Sequence, residues 1–336
     1  DGVTWKPFNL NLPAVTVHDI EIKDEDLCIA THGRSFWILD DISALRQWDE
    51  QYRDQSAHLF KPRAHTRLGT NWWAIYGGGV GGGQKNYFVP IGRMGHTFYE
   101  LGVVNGERKR RYLDAGGARP YGAINHYWLG QDAENVSLSI LDEDDQLIKT
   151  YEGEILSQEP GLNRMIWDMN CPDVLAVPGK PAPGIVVQAK VGTYKAKLTV
   201  NGKSEVQVFE LKMNPNEKFT AADSAKRFDL WWKLRSIFER SNKEIIAALK
   251  LAEEAGEDSE IAKGAREFAG KLVPQGATLS EIANEPPKLL SKLTTVSSML
   301  FHSEGPPTQS AYQVVDQMEK LIDAEIAAWK EFQSAN

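Results

Sequence analysis

The sequence predicts a mixed, mainly β chain: partial β-propeller blades first, then a β-sandwich, then an antiparallel α-helical bundle. Three observations carry that expectation. Val15–Ile22, Leu27–Thr31 and Ser35–Leu39 are short apolar runs separated by turn residues, the pattern of a strand meander. From about residue 121, strand-like runs recur at the spacing of a two-sheet sandwich. Beyond Thr220, apolar residues recur three and four apart, with Gly and Pro as stops.

The first part spans 1–62. Thr31-His32-Gly33-Arg34-Ser35 reads as a tight Gly turn between two strands, and Val15, Val17, Ile20 and Ile22 alternate in the strand before them. Three such strands make most of a propeller blade. A blade buries its faces only against neighbours, so this part is expected to need further blades. Ile42–Trp48 has helical spacing with Ser43 as a cap, Asp40 and Asp41 are placed to close a turn through side-chain bonds to backbone, and His58–Lys61 is expected to be the blade's outer strand.

Residues 63–120 form a Gly- and aromatic-rich connecting region. Gly77-Gly78-Gly79-Val80-Gly81-Gly82-Gly83 lacks the Gly-Lys-Ser/Thr ending of a phosphate loop, which argues against a nucleotide cradle. Trp72, Trp73 and Tyr76 beside it are either aromatics that stack on sugar rings or, the favoured reading, side chains tucked away for packing. His96–Leu101 alternates like a strand. Arg108-Lys109-Arg110-Arg111 follows a turn at Asn105-Gly106 and reads as a solvated hairpin.

In the sandwich, 121–213, the expected strands are Ala123–Leu129, Val136–Leu141, Gln146–Thr150, Asn163–Asp168, Gly192–Val200 and Glu205–Leu211. Asn201-Gly202 is a strong two-residue hairpin signal. Asp142-Glu143-Asp144-Asp145 lacks the Gly and the distant Glu of an EF-hand loop and reads as a hairpin tip. Pro172–Pro183 reads as a surface connection. The arrangement resembles a fibronectin-III or immunoglobulin-like module, and such a fold by itself licenses no chemistry.

In the bundle, 214–336, Thr220 and Asp223 suggest a capping box, and Phe228, Trp231, Leu234, Phe238, Ile245, Leu249 and Ala252 mark one helix face up to a stop at Gly256. A weaker helix follows over Asp258–Leu272, interrupted by Gly264 and Gly270. A second capping box is read at Thr278-Leu279-Ser280-Glu281, Pro286-Pro287 restarts the helix before Leu289, and Thr308 caps a last helix with Val315, Met318, Ile322, Ile326 and Trp329 in a stripe. The stripe is core packing rather than a cofactor box.

A net charge of -8 argues against a nucleic-acid partner. Cys28 and Cys171 make no disulfide framework, no apolar run approaches the ~20 residues that span a bilayer, and neither a metal nor a cofactor is implied. The opening on Asp1 rather than Met suggests a fragment or processed product.

A resemblance now becomes specific. Val17-His18-Asp19-Ile20, with the run from Ala30-Thr31-His32-Gly33-Arg34 through Ile38-Leu39-Asp40-Asp41-Ile42, resembles the closing blade of large Asp-box (BNR-type) propeller proteins. Those are described as glycosyl-hydrolase-like or sortilin-like and are usually exported from bacteria. Gly2-Val3-Thr4-Trp5 resembles the second half of an Asp-box, and Tyr121-Gly122-Ala123, Gly161-Leu162-Asn163-Arg164, Trp167-Asp168, Gly192-Thr193-Tyr194 and Gly305-Pro306-Pro307-Thr308 extend the likeness; Thr66 to about Pro120 departs from it. The resemblance implies a secreted or periplasmic protein whose partners are the remaining blades, from the same protein or a companion chain, and a carbohydrate or protein ligand.

Blade geometry places His18, Asp19, His32 and Arg34 near one mouth of a propeller channel, where Arg and a carboxylate suit an anionic or sugar ligand. The plainer alternative, that His32-Gly33-Arg34 only fixes the turn, is favoured. Glycoside hydrolysis needs two carboxylates about 5–9.5 Å apart, and Asp19 stands alone there. The expected function is therefore a non-catalytic structural or binding portion of such a protein. The alternatives are part of a sialidase-like or other glycoside hydrolase whose catalytic residues lie mostly in blades outside this chain, and an adhesion surface.

Overall fold

Alternation and turn chemistry build the first sheet. β1 (Val17–Lys23), β2 (Asp26–Thr31) and β3 (Phe36–Leu39) form an antiparallel meander in that order. Asp24 and Glu25 join β1 to β2 at φ 52° and 77°, the left-handed pair that suits a two-residue hairpin. Gly33 at φ 76° and Ser35 at φ 67° turn β2 into β3. The register sets Ile20 opposite Ile29 and Ile22 opposite Leu27, then Ile29 opposite Trp37 and Leu27 opposite Leu39. One face therefore carries six apolar side chains, and the other carries Asp19, Glu21, Cys28, Ala30, Phe36 and Ile38.

The computed structural model describes residues 3, 5, 7, 8, 10, 12–67, 98–104, 107–112, 122–180, 184–216, 218–276, 285–302 and 305–335. After β3, Asp41 adopts φ 58° and accepts a hydrogen bond from the Ser43 amide (3.1 Å), closing a turn before the short helix α1 (Ser43–Arg46).

The sequence expectation for the next strand is corrected. β4 (Ala57–Leu59) is not the outer strand of the first sheet; it pairs antiparallel with β8 (Ala123–Leu129), with Leu59 opposite Tyr127. β5 (His65–Arg67) lies at the edge of another sheet, beside β13 (Lys203–Met213). The chain has thus entered the later sheets before residue 62, where the first part was expected to end.

Those sheets have the orders β11-β8-β4 and β10-β9-β12-β13-β5, with β9 (Ser137–Asp142), β10 (Leu147–Glu152), β11 (Gly161–Trp167) and β12 (Gly192–Val200). Their alternating inward residues Leu59, Tyr127, Leu129, Leu138, Ile140, Trp167, Leu198 and Leu211 are buried. Asn201 and Gly202, at φ 51° and 79°, make the hairpin between β12 and β13. The acidic tip at 142–145 is a hydrogen-bonded turn: Asp142 Oδ1 accepts from the Asp144 and Gln146 amides. β6 (Phe98–Val104) and β7 (Glu107–Tyr112) pair as a separate hairpin, and β7 contains the basic run.

A second compact unit gathers Met169–Val191 with Met213–Asn336. Within Pro172–Pro183, expected as a surface connection, the described residues form no helix or strand and most are exposed, but Val174 and Val177 are buried. Cys171 N donates to Val187 O (2.7 Å) and Ala189 N to Met169 O (2.8 Å), while Val174, Val177, Ile185 and Val187 are buried. α2 (Ala221–Ala255) opens on the capping box of Thr220 and Asp223 and stops at Gly256. α3 (Glu260–Leu272), α4 (Leu289–His302) and α5 (Gln309–Ala335) follow. The second expected capping box, at 278–281, lies outside the described residues.

Leu230, Trp231, Leu234, Phe238, Ile245 and Ala252 are buried along α2, as are Val315, Met318, Ile322 and Trp329 along α5. Phe228, Leu249 and Ile326 are only half-buried. Gly264 gives α5 its place, since a Cβ there would come within 2.3 Å of the Phe332 ring. Arg227, 2% exposed, donates to Gln188 Oε1 (3.3 Å) and lies over the Trp231 ring. The fold is thus mixed, with open sheets in one unit and helices dominating the other. Among the described residues, no helix is long and apolar enough to cross a membrane.

Candidate functional site

The antiparallel path of β1 and β2 brings the start of β1 beside the turn that follows β2. His18 is the extra residue of a bulge: Val17 pairs with Thr31 and Asp19 with Ala30, leaving His18 without a register partner. Freed from the pleat, its ring stacks on His32 with centroids 5.1 Å apart and 20° between planes. His32 is anchored through its amide, which donates to Thr16 O (2.9 Å). Asp19 accepts from its neighbour's amide, Ile20 N, at 2.9 Å. Arg34 sits in the turn, and its carbonyl accepts from Trp37 Nε1 (3.0 Å), which pins the turn to β3.

All four candidate residues are exposed. The structure joins His18 to His32 and places Asp19 and Arg34 near them in the chain, while the bonds of Asp19 and of the Arg34 backbone are local. The two stacked imidazoles are the one side-chain contact described among these four residues. Trp72, Trp73 and Tyr76 lie outside the described residues. Among those described, no cluster of three or more His, Cys, Asp or Glu is arranged to hold a metal ion.

A second feature escaped the sequence reading. A groove of about 650 Å³ runs between α1, residues 61–64 and the strands β12 and β13, with Glu25, Arg46, Lys61, Arg63 and Glu210 among its lining. Its charges are largely matched internally. Arg46 pairs with Glu25 at 2.9 Å, and Arg63 donates to Asp26 Oδ1 (2.9 Å) and Asp24 O (3.0 Å). Asp26 Oδ1 also accepts from the Asp41 amide (2.8 Å). The Asp41 side chain is fully enclosed, its Oδ2 has no hydrogen-bond partner, and Arg63 Nε stands 3.8 Å away.

His126 lies within the field of this network. Burial holds its imidazole below the usual value; Asp41 pulls it upward, and Arg164 and Arg63 push it down. His58 stacks on Tyr52 with centroids 3.9 Å apart and is also lowered by burial, against the opposing pull of Glu205. The residues of the network come from positions 24 to 63 and from β8, so spacing along the chain offered no signal for it.

No family model matches this chain, and no curated protein does. Among solved structures, it is similar to CopC from Methylosinus trichosporium OB3b at 18% identity, covering 30% of this chain and 83% of that one, with a TM-score of 0.19. That score is too low to assign a common fold.

Proposed function

We propose that this chain is a non-catalytic structural and binding portion of an exported Asp-box propeller protein. In this reading β1–β3 are one sector of a ring whose remaining blades cover the sheet's faces. The later strands form a fibronectin-III-like sandwich and the helices a bundle, both bracing the ring. One observation carries the reading: no residue of β1–β3 is buried, although the sheet is rich in apolar side chains. Ile20 and Ile22 are 58% and 55% exposed on one face, and Phe36 and Ile38 are 77% and 58% exposed on the other. A sheet that displays apolar residues on both faces is built to be covered.

His18, Asp19, His32 and Arg34 would then contact a carbohydrate or protein ligand at the ring's mouth. Asp19 lies exposed on an open sheet, a setting that favours binding over hydrolysis.

The test compares the chain with its Ile20→Lys/Ile22→Lys variant by binding of a hydrophobic dye and by thermal melting. The parent chain is expected to bind the dye and the variant to bind less, with the main melting transition unmoved. A variant that no longer folds would show that these side chains serve a core within this chain, and the reading would fall.

A further inference from the structure

An open strand edge invites pairing with another chain unless charge, a bulge or a covering group blocks it. Most open edges of the first unit are blocked. β1 carries Asp19, Glu21 and Lys23 and a bulge at Val17/Asp19. β10 carries Lys149 and Glu152 and a bulge at Leu147/Lys149. On β4, the Leu59 amide is occupied by Glu205 Oε2 at 2.8 Å. β11 carries Arg164. β3 differs: it reads Phe36-Trp37-Ile38-Leu39, without charge, proline or bulge, and among the described residues β2 is its one strand partner.

We propose that β3 pairs edge to edge with β3 of a second copy of this chain, antiparallel, to give a two-fold dimer with a continuous six-stranded sheet. The sequence around β3 is self-complementary for that direction. With Trp37 on the two-fold axis, Phe36 of each copy faces Ile38 of the other, an aromatic against a β-branched residue on one face. Arg34 precedes the strand and Asp40 follows it, so at both ends the antiparallel register sets opposite charges together. A parallel register would bring like charges together instead. Ser35, at φ 67°, ends the strand, and Arg34 in the turn before it is to reach Asp40 of the other copy across that kink. The pairing goes beyond the function proposed above: it uses the sheet's edge, whereas neighbouring blades would cover its faces, so either can fail alone.

Sedimentation equilibrium over a range of concentrations tests it. The chain is expected to dimerise reversibly, and Ile38→Lys to raise the dissociation constant at least about tenfold. Arg34→Asp is expected to weaken the dimer similarly, and adding Asp40→Arg to it to restore the dimer, because the two-fold axis re-forms both pairs. Circular dichroism of each variant checks that the sheets persist. A chain that stays monomeric throughout overturns the proposal. So does a dimer that both Ile38→Lys and Arg34→Asp leave intact, one that the charge swap fails to rescue, or one lost instead in Ile20→Lys/Ile22→Lys.

Discussion

Arg63 and Asp26 form an ion pair 2.9 Å long, with side chains only 12% and 16% exposed. Through it, the connection between β4 and β5 grips the first residue of β2, and the Asp26 carboxylate in turn holds the amide of Asp41. The charges are sheltered, so removing one partner strands the others.

Arg63→Met is therefore expected to destabilise the first unit by about 3 kcal/mol, since it leaves Asp26 and the enclosed Asp41 without their cation. Urea titration followed by tryptophan fluorescence measures the loss. Arg63→Lys is expected to recover part of it, because an ammonium supplies the charge without the guanidinium's several donors.

A contrasting result is expected at the helical ion pairs. Lys233 reaches Asp316 at 2.8 Å and Glu319 at 2.7 Å, and Arg240 reaches Asp323 at 2.7 Å, but both cations are about two-fifths exposed. Lys233→Ala should cost no more than about 1 kcal/mol, and the difference should shrink in high salt, as melting with and without added salt would show.

Stability should decline on mild acidification. His126 and His58 have folded values lowered from 6.5 by burial, so below that pH the unfolded chain binds protons that the folded chain refuses. Stability is full above the unfolded value and falls as pH drops from there toward the folded values. Thermal melts between neutral and mildly acidic pH are expected to show this decline, and His126→Gln to flatten it.

Gly122→Ala is expected to cost about 2 kcal/mol or more, read from the urea midpoint. Gly122 holds φ 142°, and a Cβ there would stand 2.4 Å from the Trp167 carbonyl oxygen, a backbone atom that has little room to retreat.

Most strands were legible because alternation and turn residues are local signals: Asn201-Gly202 predicts the hairpin it makes, and Thr220 with Asp223 the cap it forms. What escaped was non-local. Ala57-His58-Leu59 is too short to declare its partner, and β8 lies far along the chain. Val174 and Val177 are buried inside the otherwise open Pro172–Pro183 stretch with neither a helix nor a strand period to announce them, so the sequence left them out of the core. Gly264 read as a helix interruption because the Phe332 ring it accommodates is distant in sequence. At the candidate site, the sequence placed His18 and His32 at one end of the sheet, but the bulge that stacks them is a matter of register.

The chain passes from the first unit to the second at Met169, returns at Gly192 and departs again at Met213. Each unit is therefore built from separated stretches of chain, and no single cleavage releases either of them whole. Truncation after Lys212 would leave the Met169–Val191 excursion stripped of its helical companions, with Val174, Val177, Ile185 and Val187 laid bare.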